Sequence, residues 1–199
     1  MKRLLVLAYY FPPMGMSGVQ RITRIVRHLR ESGWQPTVIT SSPTRYAAWD
    51  EELARQVETD VEVIRTRSLD PLHLPTRDGG RATHALPTAG ERGGKLFGLL
   101  GALFVPDSKI GWIPFALLAA TRAHRDWPFD AILATGPPHS SLVGAAWLSR
   151  RLDLPLVLDF RDDWLDAPRQ TFATPLHRRL HQGLEQWAIR QADEVWTVS

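Results

Sequence analysis

Gly15 and Gly18 lie three residues apart in YYFPPMGMSGVQR (Tyr9 to Arg21), between an apolar run and a basic amphipathic stretch. Without side chains there, the backbone can approach a ligand closely. A following helix offers free N–H groups and the positive end of its dipole, which suits phosphate or another anion. The same glycines would equally serve a tight turn. A second stretch, TGPPHSS (Thr135 to Ser141), carries His139 behind two prolines. A stiff loop presenting an imidazole suits hydrogen bonding to a polar ligand, and Ser140 or Ser141 can cap the next helix. The competing reading makes His139 structural or merely exposed. In LDFRDDW (Leu158 to Trp164), Asp159, Arg161, Asp162 and Asp163 follow a wholly apolar LPLVL. Burying those charges unpaired is costly, so they are mutually paired, exposed or ligand-bound. Asp162 is expected to point outward, and an Arg–carboxylate pair fixing the loop is the structural alternative.

The elements that must position these residues alternate in type. Arg3 to Ala8 is a short continuous apolar run, as in a strand covered on both faces. Val19, Ile22, Ile25, Val26 and Leu29 recur at helical spacing, with Arg21, Arg24, Arg27 and Arg30 on the other faces, and Gly33 stops that helix. Gln35 to Thr40 reads as a strand, Trp49 to Val57 as helical and Val61 to Arg65 as a strand. From Thr66 to Gly94 the pattern dissolves into Pro, Gly, Arg and His, the signature of an insertion. Lys95 to Phe104 and Pro114 to His124 are predicted helices, the second with Pro in its first turn. The alternation resumes with a strand at Asp130 to Thr135, a Ser-capped helix at Ser141 to Leu152 and a strand at Leu154 to Phe160. A helix at Pro175 to Gln191 and a strand at Asp193 to Ser199 follow. This order predicts an α/β domain, a Rossmann-like doubly wound parallel sheet. Such sheets bind ligands at the carboxyl ends of their strands, where the three stretches fall.

Composition narrows the function. A chain of 199 residues with 44% apolar content can bury a sizeable core as one domain. The net charge of +3 gives no nucleic-acid footprint, and the absence of cysteine excludes disulfides, thiolate metal sites and a cysteine nucleophile. G-M-S-G lacks the dinucleotide spacing, and the second strand ends in Thr40-Ser41 without the acidic ribose ligand, so an NAD-dependent role is disfavoured. MKRLLVLAYYFPP begins like a signal peptide, but its apolar core is about half the usual ~7 to 15 residues; a buried strand is the better reading. No apolar stretch reaches the ~18 to 20 residues of a spanning helix, so no membrane crossing is expected. Leu96, Phe97, Leu99, Leu100, Leu103, Phe104 and Trp112, beside Arg92, Lys95 and Lys109, fit either a core helix pair or docking at an anionic membrane surface.

YYFPPMGMSGVQR, ATGPPHSS, LDFRDDW and the closing ADEVWTVS, in this order, together resemble the N-terminal domain of retaining, GT-B-fold glycosyltransferases of family 4. The resemblance implies the acceptor-side half of an enzyme that moves a sugar from a nucleotide-sugar donor to a saccharide or lipid-linked acceptor. Polysaccharide biosynthesis, in the cytoplasm or peripherally on the inner face of the membrane, is the implied setting. It further implies that Gly15, Met16, Ser17 and Gly18 form a loop reaching the donor diphosphate. Asp162, Arg161 and His139 become the catalytic candidates, with Asp159, Ser140 and Arg21 on the acceptor or sugar. Relatives often carry adjacent glycines where Met16 and Ser17 intervene here, and a His where Arg161 lies. No metal or other cofactor is implied. The paired-glutamate E-x7-E signature of the donor-binding half does not occur, so that half is expected elsewhere, in cis or in trans. The alternative is a non-catalytic binding module or split subunit that completes a cleft with a partner chain.

Overall fold

The computed structural model describes residues 1–15, 17–42, 49–59, 61–69, 104–166, 172 and 174–198. Its elements run β1 (Lys2–Leu7), α1 (Ser17–Glu31), β2 (Trp34–Ser41), α2 (Glu51–Glu58) and β3 (Glu62–Thr66), then a short 3-10 turn (Ser108–Trp112) and α3 (Ile113–Asp126). They continue with β4 (Ala131–Gly136), α4 (His139–Leu152), β5 (Leu156–Phe160), α5 (Pro175–Gln191) and β6 (Glu194–Thr197). Among the described residues the strands form one sheet in the order β3-β2-β1-β4-β5-β6, with every pairing parallel. The chain therefore reverses direction across the sheet between β1 and β4, the switch point at which such sheets open a crevice.

β1 shows why its sequence is apolar without alternation. Leu5 and Leu7 join one buried cluster, with Ile132, Leu142, Trp112 and Ala188. Leu4 and Val6 join the other, with Ile22, Val26, Val38 and Val57. Successive side chains point to opposite faces, and helices cover both, so neither parity can be polar. α1 and α2 lie on the second face; α3, α4 and α5 lie on the first.

Local signals place most boundaries. α1 ends at Glu31, and Gly33 follows at φ +88°, the left-handed conformation that glycine adopts without steric cost. Two expectations are corrected. α1 begins at Ser17, so Gly18 lies inside a helix rather than in a loop. α4 begins at His139 rather than Ser141, with Pro138 as its cap residue and no side-chain cap bond.

Of the proposed membrane-facing residues, 92, 95–97, 99, 100 and 103 lie outside the described residues, as do most of the predicted insertion and helix 95–104. Trp112 is fully buried and donates its indole N–H to Thr66 Oγ1 at 2.8 Å, so it belongs to the core. Nearby, Leu69 N–H donates to Gly111 O at 3.3 Å. No helix among the described residues is long and apolar enough to cross a membrane.

Candidate functional site at the carboxyl rim of the sheet

The loop leaving β1 is fastened by its own carbonyls. Tyr9 O accepts from the Thr40 and Ser41 hydroxyls, at 3.0 Å each, so the end of β2 faces inward. Pro12 O accepts from Arg65 Nη2 at 2.7 Å, and Pro13 O accepts from Asp50 N–H at 2.8 Å. Phe11, Met14 and Gly15 are buried along it. Met16 lies outside the described residues, as does the side chain of Ser17.

Strand parity decides what meets α1. On β5, Leu156, Leu158 and Phe160 enter the core on the α4 face, whereas Val157 packs on the α1 face. Asp159 shares the parity of Val157 and is the register partner of Thr135 on β4. It is fully buried: Oδ1 accepts from Arg21 Nη2 at 2.7 Å, and Oδ2 accepts from Thr135 Oγ1 at 2.9 Å. Arg21 Nε lies 3.2 and 3.3 Å from the two oxygens. The hydrogen bond to Asp159 raises the Arg21 pKa above its ordinary value. Asp159 thus forms an Arg–carboxylate pair, the structural alternative for this loop, with an arginine of α1 rather than with Arg161. Here Asp159 and Arg21 hold α1, β4 and β5 together.

Arg161 continues that parity and reaches across the rim. Its backbone N–H and its Nε donate to Gly136 O at 3.0 and 3.2 Å, and Nη2 donates to Pro137 O. The guanidinium rests against Gly18, where a Cβ would overlap Nη1 outright and lie 2.7 Å from Cζ. Gly18 is therefore a matter of space: the first turn of α1 is bare so that Arg161 can lie on it. One side chain draws together the start of α1, the loop after β4 and the segment after β5. Asp162 and Asp163 are exposed, so Asp162 points outward as expected.

The α4 face carries the imidazoles. His139, in the first turn of α4, is 7% exposed and stacks on Trp164 with ring centroids 4.6 Å apart and planes 6° from parallel. Among the described residues its Nδ1 is a buried nitrogen without a hydrogen-bond partner. Burial, reinforced by nearby His181 and Arg161, lowers its pKa to about 4. Ser140 does not cap the helix: its N–H and Oγ donate to Asp107 Oδ2 and Oδ1, at 2.9 Å each. The same carboxylate accepts from Lys109 N–H at 2.9 Å, and burial raises its pKa. Among the described residues no three His, Asp or Glu side chains converge as a metal-ligand group would.

Asp107, Thr135, Trp164, His177 and His181 were not singled out from the sequence. The i, i+4 spacing of His177 and His181 was the one legible signal, since it places both rings on one helix face.

The strand order and the clustering of three post-strand segments at one rim define a Rossmann-like domain of the kind that forms the N-terminal half of GT-B enzymes. Residues 18–199 match the glycosyl transferase 4-like domain, and the chain belongs to that family. Solved structures of similar fold include Arabidopsis thaliana UGT89C1 complexed with UDP (TM-score 0.59, 12% identity), covering 100% of this chain and 42% of that one. Acinetobacter baumannii MurG (0.52, 12%) covers 100% and 42%. The spinosyn rhamnosyltransferase SpnG complexed with thymidine diphosphate (0.51, 17%) covers 99% and 45%. The chain thus spans less than half the length of these structures, and at such identities they share its fold. No curated protein matches the chain in sequence.

Proposed function

We propose that the chain is the acceptor-side domain of a retaining sugar transferase of family 4, completed by a donor-binding half in cis or in trans. The observation that carries this reading is the packing of Arg161 on Gly18, which puts a guanidinium and a helix N-terminus at one point of the switch-point crevice. Both favour negative charge, and together they suit the diphosphate of a nucleotide-sugar. In the reaction, the acceptor hydroxyl oxygen bonds to the anomeric carbon on the face that the diphosphate leaves. The bond from that carbon to the diphosphate oxygen breaks, and the hydroxyl proton passes to the departing diphosphate. Arg161 and the start of α1 stabilise the charge that develops there, in the role a metal plays elsewhere, while His139 and exposed Asp162 orient the acceptor. Assembly of a surface polysaccharide on a lipid-linked acceptor, with the domain peripheral to a membrane, is the setting we assign.

Gly18→Ala tests the reading cleanly. The atom displaced is the far end of a flexible side chain, so the change in stability should stay within about 1 kcal/mol. UDP and TDP affinity, measured by calorimetry, should nevertheless fall about tenfold, as in Arg161→Ala. Unchanged affinity in both variants, or robust sugar transfer by the 199-residue chain alone, would overturn the proposal.

A further inference from the structure

Trp164 has a second engagement besides its stack on His139. Its indole N–H donates to His181 Nδ1 at 3.0 Å, and His181 Nε2 lies 3.1 Å from His177 Nε2. Phe172 meets both rings edge-on, at 5.1 Å from His181 and 5.9 Å from His177. The proton positions follow from the donors. An indole can only donate, so His181 Nδ1 accepts and the proton of its neutral ring sits on Nε2. That N–H is aimed at His177 Nε2, which accepts, leaving the His177 proton on Nδ1. The hydrogen bonds run one way, from Trp164 through His181 to His177, and His139 joins them by its stack on Trp164.

We propose that His181 is a positioning residue: through Trp164 it locks the plane of His139, so that His139 presents a fixed imidazole to an acceptor hydroxyl while Arg161 and α1 hold the diphosphate. This rests on the sugar-transfer reading above. The division follows from chemistry. A neutral imidazole offers one donor and one acceptor, the complement of a hydroxyl, whereas an anion calls for charge. His139 stays neutral because it is buried and because His181 of α5 and Arg161 of the segment after β5 lie near it. His181 is likewise lowered to about 4 by burial and by His177. On the same helix Glu185 is raised by burial and by Asp166 and Asp163, and Arg178 pairs with Asp166 at 3.8 Å.

The test compares His181→Asn, which keeps an oxygen able to accept from Trp164, with His181→Leu, which fills the space without an acceptor. The His139 ring proton is followed by NMR against pH and against methyl glycosides of glucose, galactose and mannose, and the Trp164 indole N–H is identified by its loss in Trp164→Phe. In His181→Leu the Trp164 signal should move, the His139 midpoint should rise as the His181 contribution is lost while burial remains, and the response to glycosides should vanish. His181→Asn should restore the Trp164 signal and the glycoside response, and UDP affinity should be unaltered in both variants. Wild-type behaviour of His139 in His181→Leu, or no glycoside response in the wild type while UDP binds, would overturn this inference and leave the sugar-transfer reading standing. Failure of UDP to bind the wild type would instead remove the reading beneath it.

Discussion

On the α1 face of the rim, Asp159 is completely buried and both its oxygens accept hydrogen bonds; on the α4 face, His139 is almost as deeply buried and its Nδ1 has no partner among the described residues. The two groups sit at the ends of neighbouring strands. Depth of burial does not separate them, but satisfaction does. A buried polar group whose hydrogen bonds are made is part of the frame, whereas one left unengaged calls for another explanation. By that criterion the Arg21–Asp159–Thr135 cluster belongs to the scaffold of the rim, and the His139 Nδ1 does not.

The strongest way to break this contrast is Asp159→Ala, which strips Arg21 and Thr135 of their common acceptor. A loss of about 3 kcal/mol is expected in urea denaturation, at the low end for a broken buried pair because Arg21 reaches water; a loss below about 1 kcal/mol would remove Asp159 from the frame. Acid should act next. His139 and His181 titrate near 4 in the folded chain against an ordinary 6.5, so in between the unfolded chain binds more protons. Their contribution is full above pH 6.5 and is lost as pH falls toward about 4, which thermal melts across that window would show. Asp107, raised by burial, opposes this slope, so Asp107→Asn should steepen it. Asp107→Ala should cost about 1–2 kcal/mol at neutral pH in the same denaturation assay, since Ser140 loses the acceptor for both its donors. The smallest effect on stability belongs to His139→Phe, which keeps an aromatic ring against Trp164 and deletes the unengaged nitrogen. Stability should stay within about 0.5 kcal/mol of the wild type, while the sugar transfer proposed above should be lost.

Strand parity explains what could be read in advance and what could not. The sheet was legible because Leu4 to Ala8 and Ile132 to Ala134 are apolar at both parities, which only a doubly covered parallel strand requires. The placement of three segments at one rim followed from that topology. The start of α4 was misjudged because its first turn is served by Asp107, 33 residues earlier, rather than by a neighbouring serine. Arg21 was invisible as the partner of Asp159 for the same reason, since 138 residues separate them and no local spacing rule applies. Gly18 was recognised as important, but its cause, a guanidinium from residue 161, exists only in three dimensions.

The clasp between the end of β3 and the 3-10 turn, Thr66 to Trp112 and Leu69 to Gly111, ties an edge strand to the entry of α3. Strand and helix thereby share one joint: a change that removes the Thr66 hydroxyl also leaves the buried Trp112 indole N–H without its acceptor, so damage at the sheet edge is passed straight to the layer that covers it.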